Sequence, residues 1–451
     1  MKSKNKLLYF IIVFVMLVGI MLITALGYMA SEGASSAFGN SEIMYVVPLL
    51  LWILFIAVIV MIASIRKKKK QGDYADVSAQ NITAPEKKEE HKTSRFYMLS
   101  EIDKRMANAK EERYEDQITM EELCERFRNF SASRLGLYYD IRDIRRFIAG
   151  LTVSHIIIMQ GMSGTGKTSL AYAFGEFLSN HSVIVPIQPM WKERTDLVGY
   201  YNEFTKKFNE TTLLHKMYEA NYSKSIYVTV LDEMNIARVE YYFAEFLSLL
   251  ELPKPESRYI DVVSDKWEND PKLLRKGQLR LPDNMWFIGT ANNDDSTFAI
   301  SDKVYDRAMI MNLDKKAPIF YAEDTDGVKI SHERFKELIK RAKREYGITS
   351  RRLRQIRELD KYMIEKFHIT FGNRIMKQLK EYVSAYIACG GTEEEAIDDI
   401  IAKKIMRKLE MQNPVYVRNA IDGLVAFIDE TFGEEKLSVT KEYLRHLERT
   451  V

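Results

Sequence analysis

A glycine-rich segment, GMSGTGKTS, carries the clearest chemical signal in this chain. It follows a β-branched apolar run and precedes a helical pattern that extends from Ser169 to Leu178. In such a loop the backbone amides curl around phosphates, a lysine reaches the β- and γ-phosphates, and a threonine hydroxyl binds Mg²⁺. The helix N-terminus adds positive potential. The segment therefore predicts a nucleotide site formed by Gly161, Gly164, Thr165, Gly166, Lys167, Thr168 and Ser169.

A second apolar run ends in two acidic residues, in IYVTVLDEMN at residues 226–235. Asp232 is placed to hold the Mg²⁺ shell, and Glu233 is placed to orient and deprotonate the attacking water. Acidic residues at the end of a strand can also be helix caps. Their position after a phosphate-binding loop, at the distance expected for another strand of the same sheet, favours the catalytic interpretation.

Two later segments complete the series of candidates. The run Met285–Gly289 predicts a strand that ends in TANNDD, where an amide side chain can contact the γ-phosphate, although such residues are also common in turns. The segment KVYDRA, residues 303–308, precedes another apolar strand, Met309–Leu313. An isolated arginine such as Arg307 is usually solvated. Only its position after the glycine-rich loop, the acidic pair and the TANNDD segment makes it a candidate functional residue.

Two uncharged apolar stretches near the N-terminus, Leu7–Ala30 and Ile43–Ile65, each exceed the roughly 20 residues that span a bilayer. Lysines precede the first and a basic run, RKKKK, follows the second, whereas Ser31–Glu42 contains no lysine or arginine. This distribution predicts a transmembrane hairpin with both termini in the cytoplasm. The alternative for the first stretch is a cleaved signal peptide, and its length argues against that.

Composition divides the chain of 451 residues unevenly. The net charge of +3 averages a basic membrane flank with a balanced remainder and gives no support for a nucleic-acid surface. The two cysteines, Cys124 and Cys389, exclude a disulfide framework or zinc site. We predict a hairpin at 1–70, a flexible linker at 71–95, a helical pre-domain at 96–130, a nucleotide-binding domain at 131–315, and a helical lid with C-terminal helices at 316–451.

Five motifs in this order give the chain a family resemblance: GMSGTGKT, TDLVGYYNEF, LDEMNIARVEYYFAEFLSLLE, GTANNDDST and DKVYDRA. Together they resemble the dynein-related and MoxR-like branch of AAA+ ATPases, most of all bacterial proteins akin to the restriction motor McrB. The resemblance covers residues 131–313 and continues more weakly to about residue 410. A DNA-reading domain and a nuclease pattern, which belong to McrB-like restriction systems, are not visible here.

The resemblance implies an α/β fold with a five-stranded parallel sheet and a helical lid, which assembles as a ring with sites between neighbouring subunits. It implies that Asn292 is the first sensor residue and that Arg307 is the arginine finger offered to an adjacent subunit. Arg374 resembles the second sensor on a lid helix, or is a solvated residue at a helix start. Residues 196–221 resemble the helix-two insertion of this branch, and residues 251–281 have room for its pre-sensor hairpin.

Three functions remain open at this point. The first is an ATPase in the inner membrane that uses ATP and Mg²⁺ to remodel or gate an unidentified protein partner as a homo-oligomer. The second is a McrB-like NTPase motor directed to nucleic acid, for which the basic stretch at residues 334–357 is weak support because glutamates are interspersed. The third is a non-hydrolysing scaffold or switch, against which the set of Lys167, Asp232 and Glu233 argues. GTP is an alternative to ATP because McrB uses GTP.

Overall fold

Short apolar runs form the strands of this protein in a computed structural model that describes residues 94–110, 112–115, 117–292 and 297–450. In this part of the chain the strands are β1 Ile156–Gln160, β2 Val183–Pro186, β3 Gly199–Asn202, β4 Lys207–Glu210, β5 Tyr227–Asp232, β6 Tyr259–Asp261, β7 Gln278–Arg280, β8 Met285–Ala291 and β9 Met309–Asn312.

Five of these strands form one parallel sheet in the order β2-β5-β8-β1-β9. The strand β8 is buried at every residue, and β1 and β5 are buried up to their last residue. Strands covered on both faces by other elements are expected to be continuously apolar, as these are. The prediction of a five-stranded parallel sheet is confirmed, and the carboxyl ends of β1, β5 and β8 meet at one edge.

Helices surround the sheet and follow it. Those before β9 are α1 Met98–Ala107, α2 Met120–Leu135, α3 Ile141–Val153, α4 Lys167–Phe177, α5 Arg194–Val198, α6 Thr212–Ala220, α7 Val239–Tyr242, α8 Ala244–Leu250 and α9 Asp302–Tyr305. Those after it are α10 His332–Glu345, α11 Ser350–Phe367, α12 Gly372–Ala388, α13 Glu393–Ile400, α14 Pro414–Phe432 and α15 Ser438–Thr450. A π-helical turn, Ile401–Ile405, and a 3₁₀ segment, Met406–Met411, link α13 to α14.

Two hydrophobic clusters cover the two faces of the sheet. One joins side chains of α2, α3 and α4 to the helices after β9, including Phe335, Leu379 and Tyr382. The other joins α1, α6 and α8 to the opposite face through residues such as Phe243, Phe246 and Phe287. The C-terminal helices therefore share a core with the sheet rather than forming a separate body.

Two antiparallel hairpins lie in the regions where the resemblance implies insertions. Strands β3 and β4 pair within residues 196–221, and β6 and β7 pair within residues 251–281. Arg95 joins the start of the described chain to the second region, because its buried guanidinium pairs with Asp265 at 2.7 Å and Asp270 at 2.8 Å.

The predicted membrane hairpin and nearly all of the predicted linker lie outside the described residues. Among the helices that the structure describes, none has the length and apolar character required to cross a membrane. The membrane anchor therefore stays a prediction.

Candidate active site

The phosphate-binding loop connects β1 to α4 and depends on left-handed backbone at its glycines. Gly161 has a φ of 139°, and a Cβ atom there would lie 2.4 Å from the carbonyl oxygen of Leu313. Gly166, with a φ of 95°, precedes the first residue of α4. Side chains are strongly disfavoured at both positions, one by close contact and both by backbone conformation.

Lys167 is 6% exposed and points back into this loop. Its Nζ donates to the carbonyl oxygens of Gly161 at 2.9 Å and Met162 at 2.8 Å. Burial lowers the pKa of Lys167, and the nearby carboxylates of Asp314, Asp232 and Glu233 oppose that shift. Among the described residues it forms no ion pair within 4 Å, so its ammonium is positioned for an anionic ligand.

Asp232, the last residue of β5, accepts hydrogen bonds from two hydroxyl groups. Thr168 Oγ1 lies 2.7 Å and Thr290 Oγ1 lies 2.8 Å from Asp232 Oδ1. A hydroxyl beside a carboxylate supplies the hard oxygen ligands that Mg²⁺ prefers. Thr168 and Asp232 therefore fit the metal role predicted for them, and Mg²⁺ bound there would neutralise charge on the phosphates.

Glu233 is held by its backbone and has a free carboxylate. Its N–H donates to Thr290 Oγ1 at 2.9 Å, and its φ of 52° is unusual for a residue other than glycine. The side chain is exposed, and the described part of the chain provides no hydrogen-bond partner for its carboxylate. A fixed backbone with an uncommitted carboxylate suits a group that must accept a proton from water.

Asn292 follows the last residue of β8, between the phosphate-binding loop and the two acidic residues. Its carbonyl oxygen accepts from Asn235 Nδ2 at 2.9 Å and from Thr297 Oγ1 at 3.0 Å. The next four residues, 293–296, lie outside the described residues. The strand order brings Asn292 to the same edge of the sheet as Lys167 and Asp232.

Arg307 lies at the opposite edge of the sheet. Ile157 of β1 pairs with Met309 of β9, which places Arg307 level with residue 155. The hydroxyl of Ser154 donates to the carbonyl oxygen of Arg307 at 2.9 Å, which confirms this level. About six residues of strand rise, roughly 20 Å, separate it from the loop that begins at Gly161. An arginine side chain cannot span that distance.

Arg374 lies beside Arg307 rather than beside the phosphate-binding loop. Both guanidinium groups pair with Glu251, from Arg307 Nε at 2.9 Å and from Arg374 Nη2 at 2.5 Å. Within the described residues Arg374 makes no ion pair or hydrogen bond to residues 161–168. The structure thus brings together all the predicted site residues except these two, which form a separate pair.

Three residues of this arrangement were not assigned by sequence reasoning. Thr290 bridges Asp232 and Glu233, Tyr139 donates from its hydroxyl to the carbonyl oxygen of Gly166 at 3.2 Å, and Glu251 holds the two arginines. A signal existed for Thr290, since it directly follows the predicted strand Met285–Gly289. Tyr139 and Glu251 have no motif to mark them.

Known protein families agree with this geometry. Residues 156–308 match the family model of the AAA domain of the dynein-related subfamily. The chain contains an AAA+ ATPase domain. The match begins at the first residue of β1 and ends directly after Arg307, so this AAA+ domain includes the phosphate-binding loop, both acidic residues and the paired arginine.

Residues 326–451 match a second family model, a domain of unknown function, DUF8727. Among solved structures, a protein from Cytophaga hutchinsonii that is proposed to be an ATPase has a TM-score of 0.44 and 12% identity, covering 73% of this chain and 96% of its own. Similarity at that level supports no further conclusion. No curated protein matches the chain.

Proposed function

We propose that the protein is a ring-forming ATPase, anchored in the inner membrane with both termini in the cytoplasm, that couples ATP binding and hydrolysis to remodelling or gating of a protein partner. The observation that supports a ring is the position of Arg307. It is too far from Lys167 of its own chain to reach the same phosphate. A second subunit would bring an Arg307 to each site.

The roles within one site follow from the contacts. Lys167 holds the β- and γ-phosphates, Thr168 and Asp232 hold Mg²⁺, and Glu233 orients the attacking water and takes its proton. Asn292 contacts the γ-phosphate from the neighbouring strand. Arg307 of the adjacent subunit stabilises the negative charge that develops in the transition state, an effect worth roughly 10³-fold or more.

Mixed assemblies test the ring. Arg307→Ala and Glu233→Gln should each abolish turnover in pure form. In a mixed ring, an Arg307→Ala subunit supplies intact Lys167, Asp232 and Glu233, and a Glu233→Gln neighbour supplies the arginine. That interface is complete, so co-expressed rings of verified composition should regain ATPase activity.

Linked dimers provide the control for this experiment. A linked pair with one wild-type interface shows whether a single complete site turns over in a ring. If that pair is active while the mixed Arg307→Ala and Glu233→Gln rings stay inactive, Arg307 does not act across a subunit boundary and the ring proposal is wrong.

The membrane part of the proposal rests on the predicted spans at 7–30 and 43–65. A reporter fused after Lys70 should be cytoplasmic, and one inserted within residues 31–42 should face the outside. A reporter after Lys70 on the outer side would contradict the proposal, since the AAA+ domain would then have no access to cytoplasmic ATP.

One observation favours a second candidate, a McrB-like motor directed to nucleic acid. Five exposed basic side chains on or beside α10 and α11 form no ion pair within the described chain: Lys340, Arg344, Arg351, Arg354 and Arg357. Phosphate contacts would make binding fall steeply with added salt. Salt-dependent DNA binding, lost on neutralising these side chains, would favour this candidate. Comparing ATP and GTP turnover then identifies the nucleotide.

A further inference from the structure

The segment that carries Arg307 is held by the C-terminal helices. Arg407 pairs with Asp302 and lies 3.8 Å from the centre of the Tyr305 ring. Lys408 Nζ lies 3.4 Å from Asp306 Oδ1, and Gln378 Nε2 donates to the carbonyl oxygen of Asp306 at 3.2 Å. These contacts all come from residues within the second family match, 326–451.

Lys404 makes the most direct of these contacts. It is 2% exposed, and its Nζ donates to the carbonyl oxygen of Tyr305 at 2.6 Å and to that of Ala308. These two carbonyl groups enclose Asp306 and Arg307. Within the described residues no carboxylate lies within 4 Å of this ammonium, and burial lowers the pKa of Lys404 to about 7. Its hydrogen bonds are therefore committed to the backbone around Arg307.

The position of the backbone around Arg307 matters because, in the proposed ring, this arginine acts on the nucleotide of the adjacent subunit. The Arg307 side chain is 27% exposed and its Nε pairs with Glu251. A shift of its backbone would move the guanidinium with it. A displacement of about 1 Å in a group that acts on a transition state can cost on the order of 10²-fold in rate. Loss of both hydrogen bonds from Lys404 would permit such a shift.

We propose that Lys404 is a positioning residue for Arg307, and that the C-terminal domain thereby controls hydrolysis in the site of the adjacent subunit. This inference rests on the proposed ring, in which Arg307 serves that site. Within the described residues Lys404 makes no hydrogen bond or ion pair with the phosphate-binding loop, Asp232 or Glu233, so it acts through the backbone of residues 305–308.

The variant Lys404→Met removes the two hydrogen bonds and keeps the length of the side chain. We expect kcat to fall roughly tenfold to 100-fold, with nucleotide affinity unchanged because the phosphate-binding loop of the same subunit is intact. Lys403→Met is the matched control, since it removes a neighbouring lysine that makes no hydrogen bond or ion pair with residues 302–308 in the described part of the chain. It should retain the wild-type kcat.

Mixed rings separate positioning from general damage. Lys404→Met subunits mixed with Glu233→Gln subunits should regain activity, because one interface then has an intact Glu233 and a well-placed Arg307. Lys404→Met mixed with Arg307→Ala should not regain it, since both defects affect the arginine side of the interface. A residue that merely supported its own subunit's fold would not produce this pattern.

Gln378→Met offers a second route if Lys404→Met does not fold, since it removes the donor to Asp306 and should show the same pattern with a smaller loss. The inference is overturned if the folded variant keeps wild-type kcat. It is also overturned if Arg307→Ala rings are restored by Glu233→Gln but Lys404→Met rings are not. If even the Arg307→Ala mixture stays inactive beside an active linked dimer, the ring proposal itself fails.

Discussion

Two aspartates at opposite edges of the same sheet have opposite surroundings. Asp232 ends β5 and accepts from the hydroxyls of Thr168 and Thr290, with no cation within 4 Å among the described residues. Asp283 lies before β8 and is surrounded by cations and histidines: Arg258 at 3.2 Å, His155 at 3.5 Å, His332 at 3.8 Å and Lys336 in direct contact.

The difference determines what each carboxylate can do. Hydroxyl partners leave the charge of Asp232 uncompensated, so it retains capacity for a divalent cation. The charge of Asp283 is already compensated by Arg258 and Lys336, and that pairing links β6, β8 and α10. The carboxyl edge of the sheet is therefore prepared for a ligand, whereas Asp283 at the amino edge stabilises the fold.

The largest expected effects test the carboxyl edge. Glu233→Gln should lower kcat by roughly 10²- to 10⁴-fold and keep nucleotide binding, because the carboxylate acts on water. Lys167→Ala should weaken binding itself, because it removes the main phosphate contact. Labelled ATP binding and steady-state hydrolysis measure the two quantities. Wild-type hydrolysis by Glu233→Gln would contradict the assignment of this residue.

Neutralising each aspartate tests the comparison directly. Asp232→Asn should greatly reduce Mg²⁺-dependent hydrolysis with little change in the free energy of unfolding. Asp283→Asn should lower the free energy of unfolding by about 3 kcal/mol, since it leaves Arg258, 8% exposed, without an ion-pair partner among the described residues. Denaturant titration and ATPase assays on both variants should give opposite patterns. Equal stability losses would show that the two edges do not differ in this way.

A smaller effect is expected at Thr290, which joins the two acidic residues. Thr290→Val keeps the shape but leaves Glu233 N–H without its acceptor, which should cost about 1–3 kcal/mol and reduce kcat. Thr290→Ser retains the hydroxyl and should behave like the wild type. If both substitutions have the same effect, the methyl group rather than the hydrogen bonds is responsible.

The smallest effect concerns pH at the amino edge. Burial lowers the pKa of His332 to about 4, with Lys336 adding to the shift. In the unfolded chain the pKa of a histidine is about 6.5. Between this pKa and that of the folded state, the unfolded state binds more protons. The free energy of unfolding should therefore fall as pH decreases from about 6.5 towards about 4.

The variant His332→Gln should weaken this dependence, measured by denaturant titration at about pH 7 and about pH 5. Part of the slope should remain, because burial also lowers the pKa of His155. Arg258, Lys336 and Asp283 face the same histidines. An unchanged slope in the variant would show that His332 does not titrate as described.

Much of the active site could be predicted because local sequence encodes it. The phosphate-binding loop needs glycines at fixed positions, and strands covered on both faces must be apolar. GMSGTGKT, the β-branched run before it and the runs at 226–235 and 285–289 therefore indicated the sheet and its carboxyl edge. The roles of Asn292 and Arg307 came from the order of motifs and stay predictions, as does the membrane hairpin.

Other features depend on packing between distant residues and have no local signal. Cys124 and Cys389 are far apart in sequence, yet both are buried, and burial together with the Cys389 thiol raises the pKa of Cys124. Glu251 meets Arg307 and Arg374 only because α8, α12 and the start of β9 converge. In the sequence, Lys404 looks like any other lysine of the basic run IAKKIMRK. Only the fold, through the π-helical turn Ile401–Ile405, brings it to the carbonyl oxygens of Tyr305 and Ala308.

The motifs could be predicted and the charge partners could not, because the first depend on neighbouring residues in the sequence and the second on residues that only the fold brings together. Backbone conformation and apolar burial are set by residue type and spacing, which a sequence displays directly. The partner of a charge is chosen by the fold. A sequence pattern does not show whether a given lysine or glutamate is one of the many that are solvated or one of the few that are buried with a partner. Motifs therefore predicted where the chemistry of this protein lies. Only the tertiary structure showed which charges have no partner among the described residues and which side chains contact the backbone around Arg307.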